Sequence, residues 1–279
     1  RIMQSMALPV QSAGNLVDTC GTGGDGSNTI NVSTIAAFVA VGAGLNVAKH
    51  GNRAITSACG SADVLEAAGV NIELGPNGVE MCIRQVGMGF MFAPNFHPAM
   101  RHAGGPRREI GIRTVFNILG PLTNPAGAKS QVLGVADGSL GEKMAHVLKQ
   151  LGSRHALIVH GEDGLDEISI AAPTQIWELK KGNIYNYSIT PEDLGLTRAS
   201  PDDVQGGSAK ENVAIMHNIL SGERGPARDI VLLNAAAALA AGDAVHNLRQ
   251  GIMLASESID SGRALEKLRS LSQLSQTLT

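Results

Sequence analysis

The stretch VDTCGTGGDGSNTINVSTIAAF, Val17–Phe38, places four glycines within Gly21–Gly26, between a short apolar run and a pattern that turns helical. It reads as a strand, a glycine loop and a helix start. Such a junction suits an anion, because glycine has no Cβ to hold a ligand off the backbone N–H groups and a helix N-terminus adds partial positive charge. Three uses compete. A Walker A loop needs Gly-Lys-Ser/Thr at the helix start; Ser27 follows Gly26 here, which removes that option. A dinucleotide fingerprint is matched by the spacing of Gly21, Gly23 and Gly26. Its helix, however, should begin inside the glycines, and its second strand should end in an acid. Here the helical pattern begins near Asn31 and the second strand ends in Lys49 and His50, a basic end that suits only a 2′-phosphate. The third use is a phosphorylated sugar, with Asp25 in the loop and Asn31, Ser33 and Thr34 at the helix start as polar contacts. Ordinary N-capping by Asn31 or Ser33 is the plain alternative.

Outward from this stretch, strand and helix signals alternate. Leu16–Cys20, Leu45–Ala48, Val70–Leu74 and Met88–Ala93 read as strands, and Asn31–Gly44, Ser61–Gly69 and Gly78–Val86 as helices. Alternation of this kind predicts parallel βαβ units and an α/β fold. From His97 to Leu119 the pattern is helical with no strand, which suggests an inserted helical lobe shared with the N-terminal residues. Alternation resumes with Gln131–Val135, Leu140–Leu151 and Ala156–His160. Ile168–Ile189 reads as antiparallel strands, and Gly206–Leu220, Asp229–Ala241 and the chain from Asp243 onward as helices.

The 279 residues suffice for one large α/β domain with a smaller piece. Aromatics are only 3 %, so the core must be built from Ala, Val, Ile and Leu. A net charge of −3 and the lack of a basic stripe argue against a nucleic-acid or membrane surface, so any phosphate site must be local. Cys20, Cys59 and Cys82 form no C-x-x-C pair; a reduced compartment is expected, with no disulfide framework or cysteine metal cluster. No apolar run reaches the length of about 18 residues that a transmembrane helix needs, and no signal-peptide pattern is seen. The opening RIMQSMALPV reads as the end of a helix, so a further N-terminal portion is expected to precede it.

Two more loops carry chemistry. AKHGNRAITSACGSAD, Ala48–Asp63, follows the second strand and gathers Lys49, His50 and Arg53, with Ser57 and Ser61 before the next helix. Consecutive parallel strands project their loops over one edge of the sheet, so a glycine loop and a cationic loop would meet a strongly anionic ligand there. GEDGLDEIS, Gly161–Ser169, places Asp166 and Glu167 just beyond a strand. Mg²⁺ takes one or two carboxylates and completes its shell with water and phosphates, which this pair suits. Arg107 and Arg108 lie on the inserted stretch, where a guanidinium fork can grip a carboxylate.

In order, GTGGDG, NVST, KHGNR, HPAMRH, FNILGPLTNPA and LDE resemble the motifs of the anthranilate phosphoribosyltransferases across Val17–Ile168. The resemblance implies transfer of the phosphoribosyl group from phosphoribosyl pyrophosphate to the amine of anthranilate, a step of tryptophan biosynthesis. It implies the nucleoside-phosphorylase-like phosphoribosyltransferase fold. Residues 1–14 and 95–119 would belong to a small helical domain and 15–94 and 120–279 to a large α/β domain. A cytoplasmic homodimer joined through the helical domain is expected, with Mg²⁺ as cofactor. Around phosphoribosyl pyrophosphate the resemblance sets Gly21, Gly24, Asp25, Thr29, Asn31, Val32, Ser33 and Thr34 from the first loop. From the second it sets Lys49, His50, Gly51, Asn52, Arg53, Ala54, Ile55, Thr56, Ser57 and Ser61. Ser33, Asp166 and Glu167 would hold the metal. Gly21, Asn52, Arg107, His50 and His97 would face anthranilate. No covalent nucleophile is expected. A pyrimidine nucleoside phosphorylase, a nucleic-acid-binding relative and an NADP-dependent reductase are the rival readings.

Overall fold

The computed structural model describes residues 2–12, 14–54, 58–100 and 115–278. A seven-stranded sheet in the order β3-β2-β1-β4-β5-β6-β7 organises them. Its strands are β1 (Leu16–Gly21), β2 (Asn46–Gly51), β3 (Met88–Phe92), β4 (Ser130–Gly134), β5 (His155–Gly161), β6 (Thr174–Lys180) and β7 (Asn183–Ile189). The first five run parallel, and β6 and β7 are antiparallel additions. β3 is buried along its whole length, and β1 and β2 are buried except at their ends. That is what strands covered on both faces require, and it accounts for their near-continuous apolar runs.

The helices are α1 (Ile2–Ser5), α2 (Val32–Gly42), α3 (Ser61–Ala67), α4 (Pro76–Val86), α5 (Ala93–Phe96), α6 (Val115–Leu119), α7 (Gly141–Gln150), α8 (Ala209–Leu220), α9 (Pro226–Ala241), α10 (Leu248–Asp260) and α11 (Arg263–Gln276). α2 and α9 are buried nearly all round. Their Val, Ile, Leu and Ala side chains, with Phe38, form the centre of the main core. A second apolar cluster, including Leu133, Ile158, Trp177 and Leu148, fills the space beneath α7.

One predicted strand is absent. Val70–Leu74 is a turn, although Val70, Ile72 and Leu74 are all buried. The place beside β2 is taken by β3. Asn71 instead accepts from Glu73 N at 3.0 Å and donates its own N–H to Ser275 Oγ at 2.9 Å, a local turn tied to α11. The N-terminal residues pack against the chain just after β3 and just before β4. Leu8 N donates to Phe96 O at 2.9 Å, Val10 N to Pro125 O at 3.2 Å, and Gln4 Nε2 to Leu122 O at 2.9 Å.

The β1–β2 ladder is short. Only Leu16↔Asn46 and Val17↔Val47 pair, against five residue pairs for β1–β4 and five for β2–β3. Above Val17 the two strands are joined by side chains.

Candidate active site

Three loops meet at the C-terminal edge of the parallel strands: residues 22–31 after β1, the described residues 52–54 and 58–60 after β2, and 162–173 after β5. β4 lies between β1 and β5, so the third loop must cross it to reach the first. Two strand-terminal glycines allow this. A Cβ on Gly134 would lie 1.5 Å from the Asp166 carbonyl oxygen, and one on Gly21 2.3 Å from Asp166 Oδ2. The absence of both side chains lets Asp166 and Glu167 reach the glycine loop. There Asp166 Oδ2 accepts from Gly23 N at 2.7 Å, and Glu167 Oε1 accepts from Ser33 N at 3.1 Å.

Burial raises the pKa of both carboxyls above the usual range, and their mutual repulsion with Asp25 adds to it. The resulting oxygen cluster lacks a full complement of positive charge. Ser33 Oγ stands at its rim and accepts from Lys49 Nζ at 3.1 Å. Among the described residues no group of three or more His, Cys, Asp or Glu forms a closed metal cage. Two hard carboxylates and a hydroxyl fit Mg²⁺ all the same, since that ion keeps several positions for water and phosphate oxygens.

Lys49 is 1 % exposed. Its ammonium donates to Thr19 O and to Ser33 Oγ, tying β2 to β1 and to the first turn of α2. Burial lowers its pKa, and the Asp18 carboxylate pulls it back up. Asp18 lies in β1, where burial raises it to about 6 against the opposing hydrogen bond from Asn124. It accepts from His50 N at 3.4 Å and from Asn124 Nδ2 at 2.8 Å, and the same Asn124 amide donates to Ala48 O at 2.8 Å. These bonds replace the missing upper rungs of the β1–β2 ladder.

His50 and His97 face each other with ring centroids 4.9 Å apart. Burial holds His50 down at about 3, with His97 contributing, and burial also lowers His97; both rings are neutral near pH 7. Each is hydrogen-bonded to a backbone carbonyl of the Gly120–Thr123 segment, and neither Nε2 has a partner among the described residues. Two buried acceptors thus lack a donor among the described residues.

Other expected site residues are placed differently. Asn31 occupies the N-cap position of α2 but makes no capping hydrogen bond, so the capping expectation fails for it. Its amide donates to Cys59 O at 3.0 Å and accepts from Asn212 Nδ2 at 3.0 Å, linking the first two loops and α8. Arg53 turns outward, with NH1 2.6 Å from Glu66 and 3.2 Å from Asp63. Asn52 is exposed and accepts from Arg53 N at 2.8 Å. Asp25 accepts from Ser27 Oγ at 2.6 Å. Gly24, Thr29, Val32, Thr34, Gly51, Ala54 and Ser61 lie on or beside the same loops. Ile55, Thr56, Ser57, Arg107 and Arg108 fall outside the described residues. Asp18, Thr19 and Asn124 were not expected; a lone acid in the apolar run LVDTC was the available signal.

The edge of this α/β sheet gathers a glycine loop, a buried lysine and a carboxylate pair, and the family match makes the class a glycosyl-transferring enzyme. Residues 13–265 match the family described as glycosyl transferase family, a/b domain. The anthranilate phosphoribosyltransferase of Chloroflexus aggregans is 58 % identical over 277 residues, covering 99 % of this chain and 82 % of that protein. That of Moorella thermoacetica is 57 % identical over 272 residues, covering 97 % and 80 %. The crystal structure of the Thermus thermophilus enzyme superposes with a TM-score of 0.93 at 45 % identity, covering 98 % of this chain and 82 % of that one. The Saccharomyces cerevisiae enzyme in complex with PRPP and Mg gives 0.92 at 33 % identity, covering 99 % and 78 %. The chain belongs to the anthranilate phosphoribosyltransferase family. Among the described residues no helix is long and apolar enough to cross a membrane.

Proposed function

We propose that this chain transfers the phosphoribosyl group of phosphoribosyl pyrophosphate to the amine of anthranilate, releasing pyrophosphate, in tryptophan biosynthesis. The observation that carries the reading is the meeting of the glycine loop, Lys49 and the Asp166–Glu167 pair at one sheet edge, in a member of this family.

The amine nitrogen bonds to C1 of the ribose as the bond from C1 to the pyrophosphate oxygen breaks. The electron pair leaves with pyrophosphate, and the amine sheds a proton to solvent. An aromatic amine is neutral at pH 7 and needs no prior activation. The chain's task is therefore to stabilise the leaving group's charge and to align the two reactants. The Lys49 ammonium, held in place by Thr19 and Ser33, meets the negative charge together with backbone N–H groups of the glycine loop. Mg²⁺, held by Asp166, Glu167 and Ser33, would supply further positive charge to the pyrophosphate when bound. Asn52, Arg107, His50, His97 and Gly21 are assigned to anthranilate. The remaining residues named on the first two loops are assigned to phosphoribosyl pyrophosphate. Residues 1–14 and 95–119 are assigned to a helical domain through which two copies pair, consistent with the exposed Ile2, Met6, Leu8 and Val115.

The test follows anthranilate fluorescence with phosphoribosyl pyrophosphate, with and without Mg²⁺. Donor- and Mg²⁺-dependent loss of the signal is expected. A signal unaffected by the donor, together with phosphorolysis of a pyrimidine nucleoside, would overturn the assignment.

A further inference from the structure

The carboxylate pair sits on a loop that needs holding. Asp166 and Glu167 are adjacent in the chain, half-buried and close to Asp25, so like charges crowd the loop. On one side the Asp166 carbonyl rests on the bare Cα of Gly134. On the other side stands Asn234, in the middle of α9 and 2 % exposed. Its Oδ1 accepts from Ile168 N at 2.9 Å, and its Nδ2 donates to Ile168 O at 3.0 Å. Nδ2 also donates to Ile230 O at 2.9 Å, one turn back along its own helix. A side-chain amide that pairs with both backbone groups of one residue fixes the position and orientation of that residue. Ile168 directly follows Glu167, and its N–H belongs to the peptide that Glu167 begins. Asn234 also lines a small crevice together with Ser33 and Glu167.

α9 is otherwise almost wholly apolar and deeply buried along VLLNAAAALAA. A bare amide in such surroundings costs stability unless its partners are supplied. Ile168 and Ile230 supply them.

We propose that Asn234 is a positioning residue which clamps the backbone at Ile168 and so preorganises Asp166 and Glu167 to receive a divalent cation together with the donor's pyrophosphate. The inference rests on the metal-site reading given under Proposed function. Partners that orient metal-binding groups typically govern affinity by about 10- to 100-fold.

The experiment measures Mn²⁺ binding by electron paramagnetic resonance in the full chain with phosphoribosyl pyrophosphate present, alongside KM for anthranilate. Asn234→Ala and the milder Asn234→Ser are compared with Glu167→Gln. Serine's hydroxyl can still bond Ile230 O within the helix, but it cannot pair with both groups of Ile168. Mn²⁺ affinity about 10-fold weaker in both Asn234 variants, with anthranilate KM within about twofold of the parent, is expected. Unchanged Mn²⁺ affinity in the Asn234 variants, with weakened binding in Glu167→Gln, overturns the clamp and leaves the metal site standing. Unchanged affinity in Glu167→Gln overturns the metal site and the clamp with it. Parallel loss of Mn²⁺ and anthranilate affinity in the Asn234 variants reduces Asn234 to a general structural role and also overturns the proposal.

Discussion

Asn124 Nδ2 donates to Asp18 Oδ2 at 2.8 Å while also donating to Ala48 O at 2.8 Å, so one amide spans the gap between β1 and β2. Asn124→Ala leaves a buried carboxylate oxygen and a buried carbonyl without that donor. A loss of about 2–6 kcal/mol is expected, since such orphaned groups cost roughly 1–3 kcal/mol each and more when charged. Urea denaturation checks this; an unmoved midpoint would mean that the bridge contributes nothing to stability.

Acid should act on the two neighbouring residues with opposite signs. The His50 pKa of about 3 lies below its ordinary 6.5, so the unfolded chain takes up a proton first as pH falls. That erodes stability from about pH 6.5 downward, by up to roughly 5 kcal/mol at pH 3. The Asp18 pKa of about 6 lies above its ordinary 3.8, so the folded chain takes up the proton first. That restores up to roughly 3 kcal/mol as pH falls from about 6 to 4. Asp18→Asn removes the compensation, and its melting temperature should fall more steeply than the parent's between pH 6 and 4. Parallel curves would contradict the assignment.

Lys49→Met keeps the length of a buried side chain and removes its charge. kcat should fall by about 10²–10³-fold, the usual effect of deleting one preorganised electrostatic group. Steady-state kinetics should leave KM for anthranilate close to the parent value. Equal damage to both would place Lys49 in folding rather than in leaving-group stabilisation.

Gly21→Ala puts a Cβ 2.3 Å from Asp166 Oδ2 and forces the carboxylate aside. The Mg²⁺ concentration for half-maximal rate should rise by about 10-fold, with the far-ultraviolet circular dichroism unchanged. An unaltered Mg²⁺ requirement would remove Asp166 from the metal site.

The strands and helices that carry the loops were legible because parallel strands in this sheet are nearly all apolar and the helices between them are amphipathic or uniformly small. Val70–Leu74 misled for a physical reason: alternating burial needs only alternating contact with a core, and a turn tied down by Asn71 and Ser275 provides that as well as a ladder does. Lys49, Asp166 and Glu167 were legible as charges beside glycines at strand ends. Asp18 and Asn124 were not, because their partners come from segments distant in sequence. Asn234 left a faint mark, a single amide within an alanine-rich apolar helix, which spacing alone cannot distinguish from a tolerated core residue. Arg53 was legible as a cation but not as a partner of Glu66, because the direction of its side chain depends on where α3 lies.

The short zip between β1 and β2 gives the sheet an uneven stiffness. Parting β1 from β4 breaks five residue pairs, whereas parting β1 from β2 breaks two and then stretches only side-chain bridges. The separation between the glycine loop and the Lys49 loop is therefore the soft coordinate of the sheet. Opening along it is the expected route by which a bulky pyrophosphate is accommodated, because it leaves the β1–β4 and β4–β5 ladders intact. Amide hydrogen exchange would display it as faster exchange at His50 and Thr19 than at Val132 or Ile158.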